Sequence, residues 1–292
     1  MDWFTLALIS TLMFGIQGFL FKKSTEMGCN KFIVTLALMV TVEILSVFVF
    51  LFSESNITYL LPTLLLGFLF AAFFYTKTIM DLKALEHLPT NKVFPITTSN
   101  AVLVVIYAII FFNERLSLSE VLGIIAIITT AIFIHYDSKK QVDYSKAKIG
   151  LLIAVIAIIP GAGMKIVNKY AADSYDTIAF TVITYLFLVL VSSFSYKVSS
   201  KIQDCKYKSG NSITLGILIG LVNFAGFYSH LFALKSGKLA VISTIHASYV
   251  VVAVLLAKLF CKEELSIKQF ALVLLSVVGV ILLKVDLFKL IT

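Results

Sequence analysis

The sequence predicts an all-α polytopic membrane protein, with ten transmembrane helices arranged as two inverted five-helix repeats. Three observations predict it. The chain is 60% hydrophobic and 14% charged, with a mean hydropathy of +1.00, where a soluble domain is about a quarter charged. Apolar stretches of about 20 residues, the length that crosses a bilayer, recur between charged clusters. Finally, residues Ala84–Ser117 align without a gap on Ala233–Ser266, 149 positions later. Identities include Ala84/Ala233, Leu85/Leu234, Ser99/Ser248, Glu114/Glu263, Leu116/Leu265 and Ser117/Ser266. Apolar composition alone would not place Glu-x-Leu-Ser at the end of both copies.

The apolar stretches lie near 3–21, 32–52, 57–80, 90–112, 119–136, 148–170, 177–197, 212–235, 239–260 and 267–285, and are spans 1 to 10 below. The repeats occupy 1–138 and 147–287, joined by a short polar connection. Span 1 opens with Met1 and Asp2, lacks a basic leader and a small-residue cleavage site, and is expected to be a retained helix. The runs are continuous rather than alternating, which argues against a β-barrel. Each half holds five spans. Five is odd, so the second copy enters the membrane upside down.

The formal charge of +8 comes from lysines set between spans, with Arg115 the one arginine. Such placement suits loop topology and gives no reason to expect a nucleic-acid partner. Loops after odd-numbered spans hold most of the basic residues, among them Lys22, Lys23, Lys31, Lys139, Lys140, Lys201 and Lys206. The positive-inside rule then places those loops in the cytoplasm and both termini outside. The expected location is the plasma membrane, as a monomer or homodimer. Cys29, Cys205 and Cys261 give no disulfide framework and no metal spacing. No motif calls for a cofactor or a metal, and no catalytic constellation is present.

The shared Glu-x-Leu-Ser leads into Ser117-Leu118-Ser119-Glu120 and Ser266-Ile267-Lys268-Gln269. Both read as capping boxes, which satisfy the first N–H groups of a membrane helix locally. Glu114 and Glu263, with Ser117 and Ser266, are therefore expected to fix the corners between spans 4 and 5 and spans 9 and 10. This duplicated pattern resembles the EamA repeat of the drug/metabolite transporter superfamily, in its ten-helix, two-repeat form, over nearly the whole chain. The resemblance implies a carrier of small organic metabolites, often an exporter, with a cavity between the halves. Two features depart from that family. Its members often carry a proline in the middle of spans 4 and 9, where this chain has Ala101 and Val250. They are also commonly drawn with both termini inside.

Polar residues inside spans are the candidate site. Gly15-Ile16-Gln17-Gly18 in span 1 and Pro160-Gly161-Ala162-Gly163 in span 6 occupy matching places, and are expected to be helix breaks. Glu43 lies mid-span, where a carboxylate relays protons or binds a cation, or else hydrogen-bonds to Thr41 as the neutral acid. Lys165 either neutralises an anionic group, pairs with Glu43, or snorkels to the surface; the last is favoured. His230 and His246 are satisfied core residues or proton carriers. Tyr75, Asn100, Asn223 and Tyr249 complete the set expected to line a cavity. Together these predict a secondary carrier of small solutes with protons as the candidate coupling ion. The alternative is a membrane-embedded enzyme or lipid-handling protein, which would need an acidic or histidine cluster at one interface.

Overall fold

The computed structural model describes residues 1–57, 59–88, 93, 96–134, 144–200, 209–261 and 266–284, and all regular structure among them is helical. The helices are α1 (Trp3–Glu26), α2 (Lys31–Phe52), α3 (Leu60–His87), α4 (Asn100–Phe111, preceded by the helical turn 96–98) and α5 (Leu118–Phe133). The second half holds α6a (Tyr144–Ile156), α6b (Ile158–Ser174), α7 (Thr177–Ser200), α8 (Ser209–Ser236), α9a (Leu239–Ala247), α9b (Tyr249–Cys261) and α10 (Ile267–Lys284). Among the described residues, eight spans are long and apolar enough to cross a membrane, and α4 with its preceding turn and α5 are shorter apolar helices.

Local chemistry sets the ends. Gly28 at φ +67° turns the chain out of α1, and Asn30 then caps α2 by accepting from the Phe32 and Ile33 amides at 2.9 and 3.3 Å. Asn113, at φ 51°, ends α4, with the Glu114 amide reaching back to the Ala108 carbonyl. Asp176 caps α7 through the amides of Ile178 and Ala179.

The 149-residue repeat is written into the packing. The most extensive helix contacts all join a span of one half to a span of the other: α1 to α8, α2 to α7 and α8, α3 to α6 and α7, α5 to α10. Gly67 packs on Ile183 and Thr184 of α7, while its repeat mate Gly216 packs on Val34 and Ala37 of α2. Ile183 is itself the repeat mate of Val34, so one contact is the other with the halves exchanged. The same exchange relates Gly279 against the Gly123 carbonyl to Thr130, which donates to the Leu272 carbonyl at 3.0 Å. Close backbone approach through glycine is how apolar helices adhere in lipid, where water supplies no driving force.

The breaks differ from the expectation. α1 runs unbroken through Gly15, Gln17 and Gly18. Span 6 breaks at Ala157, one turn before the expected place, so that Pro160, Gly161 and Gly163 all lie inside α6b. Proline in a first turn loses no intrahelical hydrogen bond, which is why Pro160 follows the break instead of making it. The matched breaks occur in spans 4 and 9, at the repeat mates Ser99 and Ser248. Their backbones are nearly identical, φ −65° and ψ −1° against φ −73° and ψ −2°. Each amide bonds three residues back, to Ile96 and Ile245, and each hydroxyl bonds to the same carbonyl. A back-bonding serine bends a helix without proline, so Ala101 and Val250 follow breaks that exist in proline's absence. Gly15 and Gly161 do form a pair, in a different role. Gly15 lies against Val252 and the Tyr249 carbonyl, and Gly161 against Asn100, each just past a break.

Candidate functional site

Polar side chains from both halves meet midway along the spans. From α7, the Tyr185 hydroxyl donates to Asn223 Oδ1 of α8 at 2.5 Å, and Asn223 Nδ2 donates to Gln17 Oε1 of α1 at 2.9 Å. Beside this chain lies an aromatic group. The rings of His230 and His246 are 5.0 Å apart, with Phe14 edge-on to His246 and Tyr249 on its other side. Nδ1 of both histidines is buried and has no hydrogen-bond partner among the described residues.

Lys165 of α6b is 6% exposed. Its Nζ donates to Asn100 Oδ1 of α4 at 3.0 Å. The lysine therefore points inward, and the snorkelling expectation is overturned. Burial of the Asn100 side chain explains the choice: Gly161, one turn before Lys165, leaves room for it, since a Cβ there would lie 2.6 Å from Asn100 Nδ2. Gly163 similarly admits the Phe73 ring, and Gly18 approaches Ala253. His230, His246 and Lys77 all lie within electrostatic reach of Lys165.

Glu43 stands apart from Lys165, and the two do not pair. Its neighbour is Tyr228, whose hydroxyl faces Ser46 and Thr181. Thr41 donates to the Ala37 carbonyl at 2.7 Å rather than to Glu43. Among the described residues, the buried Glu43 Oε2 has no hydrogen-bond partner. A charge at this depth costs about 2.5–3.5 kcal/mol on insertion scales. Tyr75 lies elsewhere, accepting a hydrogen bond from Ser195 at 3.0 Å.

Two groups were absent from the sequence expectations. Lys77 and Asp81 form an ion pair inside span 3, although their hydropathy context reads as a loop. Tyr185 reads from sequence as one more packing aromatic. An opposite-charge pair at i, i+4 within an apolar stretch was the available signal for the first. Nothing distinguishes Tyr185 before its neighbours are known.

The corners behave structurally. Ser117 and Glu120 form a reciprocal capping box, and Ser266 and Gln269 form another. Glu114 does more than hold its own corner: its carboxylate accepts from the Leu239 and Ala240 amides, capping α9a of the other half. Lys238 pairs with Glu120 at 2.7 Å and donates to the Arg115 carbonyl. Lys169 pairs with Asp173 and donates to the Leu234 and Gly237 carbonyls at the end of α8. Glu263 falls outside the described residues.

Two cavities flank α3 at its opposite ends. One, about 320 Å³, is lined by Asn56, Tyr59, Thr63, Asp173, Tyr175 and Lys235 among others. The other, about 380 Å³, is lined by Tyr75, Thr76, Ile79, Met80, Lys83, Ile153 and Ile156. Thr63 and Tyr75 are about 18 Å apart along a helix axis, and Lys165 falls between the two linings on span 6.

A sequence profile of the EamA-like transporter family matches residues 1–136 and 148–285. No curated protein matches the chain. A solved structure described only as the crystal structure of a protein is similar across 96% of this chain and 98% of its own, at 14% identity and a TM-score of 0.80. At that identity the likeness speaks for the fold.

Proposed function

The chain belongs to the EamA-like transporter family, a family of multi-pass membrane transporters of small solutes, and on that premise we propose that it is a proton-coupled secondary carrier of small organic metabolites. The solute binds in the midplane polar layer formed by Gln17, Asn100, Lys165, Asn223, His230, His246 and Tyr249. The observation that carries this reading is that polar side chains of both halves meet midway along the spans, through Gln17, Asn223 and Tyr185 and through Lys165 and Asn100. A carrier needs a site placed there, between its two repeats. Broken helices flank the layer: the serine breaks in spans 4 and 9 directly precede Asn100 and Tyr249, and a break lets one segment tilt without its partner.

Glu43 is the coupling carboxylate in this reading, because it is deep, short of partners and beside a tyrosine hydroxyl. The protein sits in the plasma membrane with both termini outside, following the lysine distribution.

The test is flux into proteoliposomes from a defined mixture of amino acids, organic acids, amines, sugars and nucleosides, read by mass spectrometry. Wild-type vesicles should accumulate at least one solute over protein-free vesicles, faster under an imposed proton gradient. Glu43→Gln should keep binding and lose the gradient response. Flux that ignores the gradient in both proteins refutes the coupling. Absence of accumulation for every solute class refutes the carrier.

A further inference from the structure

We infer that the solute carries a carboxylate, and that this group docks on the Lys165 ammonium between α4, α6b and α8. The inference rests on the carrier reading above and names the substrate class of its site.

Lys165 is buried, yet its one hydrogen bond among the described residues goes to a neutral amide, Asn100. None of the ion pairs among those residues includes it: Lys77 is answered by Asp81, Lys169 by Asp173, Lys238 by Glu120. The contrast with Lys169 is informative. Four residues on, on the same helix, Lys169 has a carboxylate and two helix-end carbonyls. Lys165 keeps donors unspent in a setting where a bare charge is disfavoured.

Among the described residues, the groups within electrostatic reach of Lys165 are Lys77, His230 and His246, and the carboxylate beside them, Asp81, is already held by Lys77. His230 is 4% exposed and its Nδ1 has no partner among the described residues, so in its Nδ1–H tautomer it has a donor free for the same anion. A single ammonium, an amide and an imidazole suit one negative charge of modest size. Recognition of a phosphate dianion generally draws on a guanidinium fork or several cations, and the one arginine, Arg115, is exposed at the corner between α4 and α5.

The test uses the full chain in proteoliposomes with the defined solute mixture, comparing wild type with K165Q, K165R and N100D. The solutes that accumulate should all bear a carboxylate. K165Q should reduce their initial uptake at least tenfold, and K165R should restore most of it. N100D is the discriminating variant, because it puts a carboxylate where Asn100 Oδ1 already meets Lys165. It should raise the melting temperature while abolishing carboxylate uptake, since the internal anion occupies the docking group. Accumulation of uncharged or purely cationic solutes overturns the inference while leaving the carrier reading intact. Undiminished carboxylate uptake by a folded K165Q or N100D protein overturns it as well. No accumulation of any solute removes the carrier reading and this inference together.

Discussion

The corner around Glu114 and the layer around Lys165 both bury polar groups, and they treat them oppositely. At the corner every group named has a partner: Glu114 takes two amides, Lys238 takes Glu120 and a carbonyl, Ser117 and Glu120 cap each other. In the layer, His230 and His246 keep buried atoms without partners among the described residues, as Glu43 does apart from it, and Lys165 holds only an amide. Satisfied polar groups fix a fold, while unsatisfied ones are a cost that a fold alone does not explain. The difference separates what holds the halves together from what they enclose.

Five substitutions sharpen that contrast, ranked by expected loss of stability in thermal or denaturant unfolding of the purified protein. Gly216→Leu should be the most damaging. A Cβ there would lie 2.5 Å from the Ala37 side chain and 2.8 Å from the Val34 carbonyl, and overpacking against backbone costs ~1–3 kcal/mol or more. Glu114→Ala strips two amides of α9a and should cost ~1–2 kcal/mol. It should leave the choice of solute unchanged; an altered solute profile would mean that the corner belongs to the site. Ser117→Ala removes one side of a capping box, at ~1 kcal/mol. Ser99→Ala, and equally Ser248→Ala, gives up one hydroxyl-to-carbonyl bond and should change stability by no more than ~1 kcal/mol. Uptake should follow the reverse order, with the two serine variants falling ~tenfold, equivalent to ~1.4 kcal/mol. Serine variants that transport at the wild-type rate would remove the breaks from the mechanism.

Much of the architecture was legible in the residues. The duplicated Glu-x-Leu-Ser located both corners, and the capping boxes formed where Ser117 and Ser266 stand, because a cap depends on neighbours three residues away. Gly216-x-x-x-Gly220 reads as a packing stripe and packs on α2. What depends on facing was not legible. Hydropathy places Lys165 along a span without saying which way it points, and Gly161, which lets Asn100 reach it, looks like a hinge. The breaks at Ser99 and Ser248 were hidden because no proline or glycine makes them, although the two serines stood in the alignment as identical residues. Lys77 and Asp81 stand at the edge of the apolar stretch 57–80, where a charged pair mimics a span end.

The exchange of Gly67 on α7 for Gly216 on α2 has a consequence for how such a protein is put together. Each five-helix unit spends its knobs and grooves on its opposite number, so one unit alone has nothing to close against. Severed within 137–147 and co-produced as two polypeptides, the units should find each other in the bilayer and reconstitute a working molecule. Either unit produced by itself should need a twin inserted in the opposite sense before it could persist.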